Sequence, residues 1–226
     1  MGRPLIIAID GPAASGKTTL ARRLARELNY LFFDTGILYR AVTWLALTRR
    51  EDLHDEDRMT RLVQELDIEL RPDPQTGETR IYFQGRDISQ DLYSPQVDAW
   101  VSVVAAHPGV RTALKDVQRR IALQGGIIVV GRDIGTVIVP EADVKIYLDA
   151  SLEERARRRY QEARSRGHEV SFEQVLEDMR RRDALDSSRD TAPLRPAEDA
   201  FILKTNGLSP EEVFQRVMAL IRERTP

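Results

Sequence analysis

Residues 11–18 read Gly-Pro-Ala-Ala-Ser-Gly-Lys-Thr, which fits the pattern G-x-x-x-x-G-K-[ST] at every fixed position. The pattern constrains the fold because its chemistry needs a particular backbone. A strand must run in, a loop must turn its N–H groups inward, and a helix must run out. The flanks supply both elements: Pro4-Leu5-Ile6-Ile7-Ala8-Ile9 suits a buried parallel strand, and Leu20, Leu24 and Leu28 recur at helical spacing. Gly11 and Gly16 let the backbone wrap a phosphate, and the helix N-terminus adds positive potential. In such a loop Lys17 reaches the β- and γ-phosphates, and the Thr18 hydroxyl ligates Mg²⁺. The plain alternative is an ordinary glycine-rich turn from strand to helix; the context favours a ligand site. The expectation is a nucleoside triphosphate site, with ATP contacts at Gly11, Pro12, Ala13, Ala14, Ser15, Gly16, Lys17, Thr18 and Thr19.

Four further apolar runs read as strands: 30–33, 127–130, 144–148 and 200–203. With residues 5–9 they make five, separated by helical patterns, which predicts an α/β fold with a parallel sheet flanked by helices. Helix starts are marked by Ser151-x-x-Glu154 and Ser171-x-x-Gln174, and by Ser209 before Pro210. Two regions interrupt the alternation. Residues 68–88 alternate apolar and polar positions about a Pro-Asp-Pro-Gln-Thr-Gly-Glu turn, which predicts a small inserted antiparallel sheet. Residues 151–183 form two helices around a Ser-Arg-Gly-His break and carry little apolar surface, as a lid would.

The chain has 226 residues, enough for one full core with insertions, and a formal net charge of −2 that gives no global attraction to nucleic acid or membrane. It has no cysteine, so disulfides and thiolate chemistry are excluded, and a reducing compartment fits. Neither a basic-then-apolar leader nor an apolar run of about 18 residues is present, so the expectation is a cytoplasmic protein.

Several charged clusters sit where open α/β sheets bind ligands, at the carboxyl ends of strands. Asp34-Thr35-Gly36 follows the second strand, with Tyr39 and Arg40 a turn later on a mostly apolar helix. Thr35 also suits a helix cap. Gly131-Arg132-Asp133-Ile134-Gly135 follows another strand, and Arg132 suits phosphate through its planar fork, a mutual Arg132–Asp133 pair being the bland alternative. Six arginines crowd residues 155–166. Glu153–Arg157, Glu154–Arg158 and Glu162–Arg166 read as pairs four apart, whereas Arg155 has no acidic residue three or four positions away, and Arg159 has only Glu162. Arg155 and Arg159 are therefore the candidates for a transferring phosphoryl group. Arg182, Asp186 and Arg189 fall on one face at the end of the next helix, where basic residues also favour a helix C-terminus.

Together IAIDGPAASGKTT, DTGILYRA, VVGRDIGT, VKIYLDAS and RRRDALDSSR resemble the bacterial cytidylate kinases, P-loop nucleoside monophosphate kinases, over essentially the whole chain. The resemblance implies transfer of the γ-phosphate of ATP to CMP or dCMP with Mg²⁺, by a cytoplasmic monomer with no nucleic-acid or membrane partner. It implies one P-loop kinase domain: a core of 1–34, 113–150 and 184–226, a monophosphate-binding region at 35–112, and a lid at 151–183. It assigns Thr35, Tyr39, Arg40, Ser102, Arg111, Arg132, Asp133, Arg182, Asp186 and Arg189 to the acceptor nucleotide, and Arg155, Arg158 and Arg159 to the lid. Two positions depart from the family pattern: Val130 where an acidic residue is frequent, and Lys204 where Asp is common. The rival readings are a P-loop kinase for another small acceptor, such as UMP, dTMP or shikimate, and a nucleotide-gated RNA-binding protein using the arginine clusters.

Overall fold

The computed structural model describes residues 4–73, 78–165, 169–187 and 194–224. In chain order the elements are β1 (Ile6–Asp10), α1 (Lys17–Leu28), β2 (Leu31–Asp34), α2 (Gly36–Arg49), α3 (Glu56–Gln64), β3 (Ile68–Pro72), β4 (Thr79–Phe83) and β5 (Arg86–Asp87). They continue with α4 (Pro95–Ala106), α5 (Pro108–Ala122), β6 (Ile127–Val130), β7 (Val144–Asp149), α6 (Leu152–Ser165), α7 (Phe172–Ser187), β8 (Phe201–Lys204) and α8 (Pro210–Arg224). A five-stranded sheet runs in the order β2-β6-β1-β7-β8. β1 lies parallel to β6 and β7, and β7 parallel to β8. All five expected strands are present, with ends shifted by no more than a residue or two. β1 is buried at every position, as a run with strands on both sides and helices on both faces must be.

The chain divides into two compact units, Met1–Tyr30 with Gly125–Pro226, and Leu31–Gln124. In the first unit, α1 packs on β6 and α8. Its Leu20, Leu24 and Ala21 share the core with Ile7, Ile9, Ile127, Ile128 and Val217. α1 stops at Asn29, whose left-handed conformation (φ 53°) returns its N–H to the carbonyls of Ala25 and Arg26.

α6 and α7 bury little apolar surface: only Arg155 and Ala156 are buried along α6. Tyr160 meets Phe172 edge-on at 6.1 Å between them. Ser171 and Gln174 form a full capping box, each backbone N–H bonded to the other side chain at 3.1 Å. Ser151 caps α6 through Glu154 N–H at 3.3 Å, but the return bond to its own N–H comes from Asn206 at 3.1 Å. The expected Glu153–Arg157 pair is replaced: Arg157 binds Glu154 at 2.8 Å, three positions away on the same helix face. Glu154 also holds Arg158 at 3.1 Å, as expected, while Arg166 lies outside the described residues.

In the second unit, α2 packs against α4, and α3 against α5. The expected small antiparallel sheet has three strands, in the order β3-β4-β5. β3 and β4 pair from Ile68↔Phe83 to Pro72↔Thr79, and β4 turns into β5 through Gln84 and Gly85, both left-handed. β5 has only two residues, too few to show an alternation. Trp44 of α2 meets Phe83 edge-on at 5.7 Å, which docks this sheet on the helix.

Candidate active site

The glycine loop is formed in the first unit. Gly11 has φ 142°, and a Cβ there would stand 2.1 Å from the carbonyl oxygen of Leu148, so no other residue fits. Gly16, at φ 97°, leads into the first turn of α1. Lys17 is only 6% exposed. Its ammonium lies across the loop, donating to the Pro12 carbonyl at 2.6 Å and to Ser15 Oγ at 3.4 Å. Thr18 and Thr19 follow in the same helical turn. Backbone N–H groups, a helix N-terminus and a lysine thus share one concave segment, an arrangement suited to a polyphosphate. Among the described residues no group of three or more His, Cys, Asp or Glu could cage a metal ion. Magnesium needs none when the triphosphate supplies most of its oxygens, and the Thr18 hydroxyl is the kind of hard donor it takes.

Asp10, at the end of β1, is not among the residues expected from the sequence, although an acid closing an apolar run is a signal that could have found it. It is 5% exposed. Its Oδ1 accepts from Ile134 N–H and its Oδ2 from Gly135 N–H, both at 2.8 Å. Burial pushes its carboxyl up to about 6, opposed by those two N–H groups and reinforced by nearby Asp133, with Lys17 pulling it down. Arg132 and Asp133 precede a π-helical turn at Ile134–Ile138, in which the Asp133 carbonyl accepts from Val137 and Ile138 at 2.8 and 3.1 Å. Both side chains are half-buried.

Arg155 lacks an acidic neighbour on its own helix, and the fold supplies one from another. The residue is 5% exposed, and its guanidinium binds Asp183 of α7 through both oxygens, at 3.2 and 2.6 Å. It also donates to the Ala150 carbonyl at 2.9 Å and, in the glycine loop, to the Ala13 carbonyl at 3.3 Å. Arg158 reaches the Thr205 hydroxyl and carbonyl at 3.2 and 2.8 Å. Arg159 is exposed, and its guanidinium meets its helical neighbour Glu162 at 3.0 Å. Arg182 and Asp186 fall on α7; Arg189 lies outside the described residues. Lys204 ends β8 exposed, beside the buried Thr205.

In the second unit, Arg40 is held rather than solvated. It donates to the Leu92 carbonyl at 2.9 Å and to Asp98 at 2.6 Å, with its guanidinium 4.8 Å from the Tyr93 ring centroid. Arg111 of α5 lies 5.8 Å from the Tyr39 ring centroid, so two of the expected residues meet here. Ser102 is exposed on α4. Thr35 precedes α2 but does not cap it through its side chain; Gly36 N–H is taken by Asp34 at 3.0 Å. Asp98 and Asp183, which hold Arg40 and Arg155, carry no short-range signal, being 58 and 28 residues from their partners.

The cytidylate kinase profile matches residues 7–223. The chain belongs to the cytidylate kinase family. It is 48% identical to the cytidylate kinase of Herpetosiphon aurantiacus, over 98% of this chain and 96% of that one. It is 47% identical to that of Geobacillus kaustophilus, over 99% of each. A solved structure of an uncharacterized protein from Eubacterium ventriosum shares the fold, with a TM-score of 0.55 at 11% identity over 98% of this chain and 99% of that one. Membership makes this protein an ATP-dependent phosphotransferase whose acceptor is CMP or dCMP, and neither rival reading is favoured. No described helix is long and apolar enough to cross a membrane.

Proposed function

We propose that the residues above divide the transfer of the ATP γ-phosphate to CMP or dCMP as follows. The backbone of Gly11 to Thr19 and the Lys17 ammonium hold the donor triphosphate. The Thr18 hydroxyl would supply one ligand to Mg²⁺, which would offset the charge of the donor phosphates. Arg40 and Arg132 hold the acceptor phosphate, and Thr35, Tyr39, Ser102, Arg111, Asp133, Arg182, Asp186 and Arg189 hold the rest of the nucleotide. An oxygen of the CMP phosphate attacks the γ-phosphorus while the bond to the bridging oxygen breaks, so CDP and ADP form without a covalent enzyme intermediate. The protein's work is alignment, charge compensation and exclusion of water. Arg155 and Arg159 of the 151–183 lid act on the transferring group, with Arg158 a third arginine of the lid. The protein acts as a monomer in the cytoplasm, without nucleic acid.

Support for this reading comes chiefly from the formed glycine loop with Lys17 across it, in a chain matched by the family profile over residues 7–223. Cytosine offers an amino donor at position 4 and an acceptor at N3, and uracil reverses both. A carboxylate only accepts and a guanidinium only donates, so Asp133 and Arg111 complement cytosine alone. An acceptor panel at fixed ATP and Mg²⁺ tests the proposal. CMP and dCMP should exceed UMP, dTMP and shikimate by powers of ten in kcat/KM. In Asp133→Ala the CMP value should collapse towards the UMP value; an unchanged ratio removes Asp133 from base recognition.

A further inference from the structure

Asp10 occupies a place that neither the donor site nor the acceptor site uses. It directly precedes Gly11, so its backbone leads into the glycine loop. Its two carboxylate oxygens reach across 124 and 125 residues to take the N–H groups of Ile134 and Gly135, which directly follow Arg132 and Asp133. The contact leaves little slack. A Cβ on Gly135 would stand 3.4 Å from Asp10 Oδ2 and 3.2 Å from Cδ of Lys145. Beyond it the π-helical turn is closed by Val137 and Ile138 on the Asp133 carbonyl. The end of β1 and the start of that turn therefore shift together or not at all.

We propose that Asp10 is a positioning residue for phosphoryl transfer, fixing Arg132 and Asp133 relative to the glycine loop so that acceptor and donor phosphates meet in line. The inference rests on the reading of Arg132 and Asp133 as acceptor ligands. A carboxylate suits the task because it accepts two N–H groups at once. An amide offers one oxygen and would turn its own NH₂ towards the second donor. Burial beside Asp133 and the stem of Lys145 makes an ionised group here costly, only partly offset by Lys17, as expected of a residue kept for geometry rather than for stability. Misplacement of reacting groups by about 1 Å costs on the order of 100-fold in rate.

The test separates binding from turnover. Asp10→Asn and Asp10→Glu are compared with wild type by calorimetric titration of CMP alone and of a non-hydrolysable ATP analogue alone, and by single-turnover rate with both substrates at saturation. The expected result is a rate lowered ~100-fold in Asp10→Asn and by a smaller factor in Asp10→Glu, which keeps the charge but moves the oxygens. Each separate affinity should stay within about threefold, because each loop is formed by its own local contacts. A saturated rate close to wild type in both folded variants overturns the proposal. So does a rate loss matched by an equal loss of either single affinity. Arg132→Ala is run in parallel: undiminished CMP binding there sinks the acceptor reading itself, a failure distinct from any result with the Asp10 variants.

Discussion

The glycine loop and the α6–α7 pair both carry cations that we propose act on phosphate, but they hold them differently. Lys17 donates to a carbonyl and a hydroxyl of its own loop, both within five residues of it. Arg155 is held by the carboxylate of Asp183 on a different helix, and Arg159 by Glu162. A phosphate approaching Arg155 or Arg159 competes with a carboxylate on a helix, whereas the Pro12 and Ser15 acceptors of Lys17 belong to the glycine loop itself. The first cation is placed by its own loop; the second pair would have to exchange a carboxylate for a phosphate, which suits groups that act only once substrates are in place.

The largest effect expected from breaking this contrast is at Lys17. Lys17→Ala should lower kcat by ~10³, because a charge aimed at developing negative charge acts mainly in the transition state. CMP affinity should be nearly intact in a titration without ATP; a loss there as severe as that in rate would make Lys17 an acceptor residue. Arg155→Ala should follow at ~10² in kcat and Arg159→Ala at ~10, each with a smaller rise in KM for CMP. Arg155 ranks first because it also touches the Ala13 carbonyl of the glycine loop. Equal losses in kcat and in CMP affinity would place either arginine in ground-state binding and erase the contrast.

A smaller effect is expected in stability, at the end of β1. The Asp10 carboxyl ordinarily titrates near 3.8 and is pushed up to about 6 in the folded protein. Between those values the folded protein keeps a proton that the unfolded chain has released. The contribution is therefore fully present below about 3.8 and lost as pH rises through about 6. The Tm of wild type relative to Asp10→Asn should fall between pH ~4 and ~7, by a few degrees. A constant difference would mean that Asp10 is ionised throughout. The smallest effect is reserved for Arg157, exposed and paired with Glu154. Arg157→Ala should leave kcat and KM within about twofold, since a surface pair contributes ~0–1 kcal/mol. A loss like that of Arg155 would show that helix face does not separate acting from idle arginines.

What the sequence determined by itself is short-range. The loop at residues 11–18, the strands around it, the Ser171–Gln174 box and the β3–β4 alternation all rest on contacts within a few positions or on a period of two or 3.6 residues. Of the residues proposed for the acceptor, Ser102 and Arg111 were legible only through resemblance of motifs, since they carry no periodic signal linking them to Asp133. Tertiary structure alone decided that β1 sits between β6 and β7, that Asp10 anchors the turn after Asp133, that Asp98 holds Arg40, and that Asp183 holds Arg155. The reason is physical. A buried carboxylate or guanidinium must find a partner, but which one depends on where the sheet and helices bring the chain back, and no window of neighbouring residues contains that information.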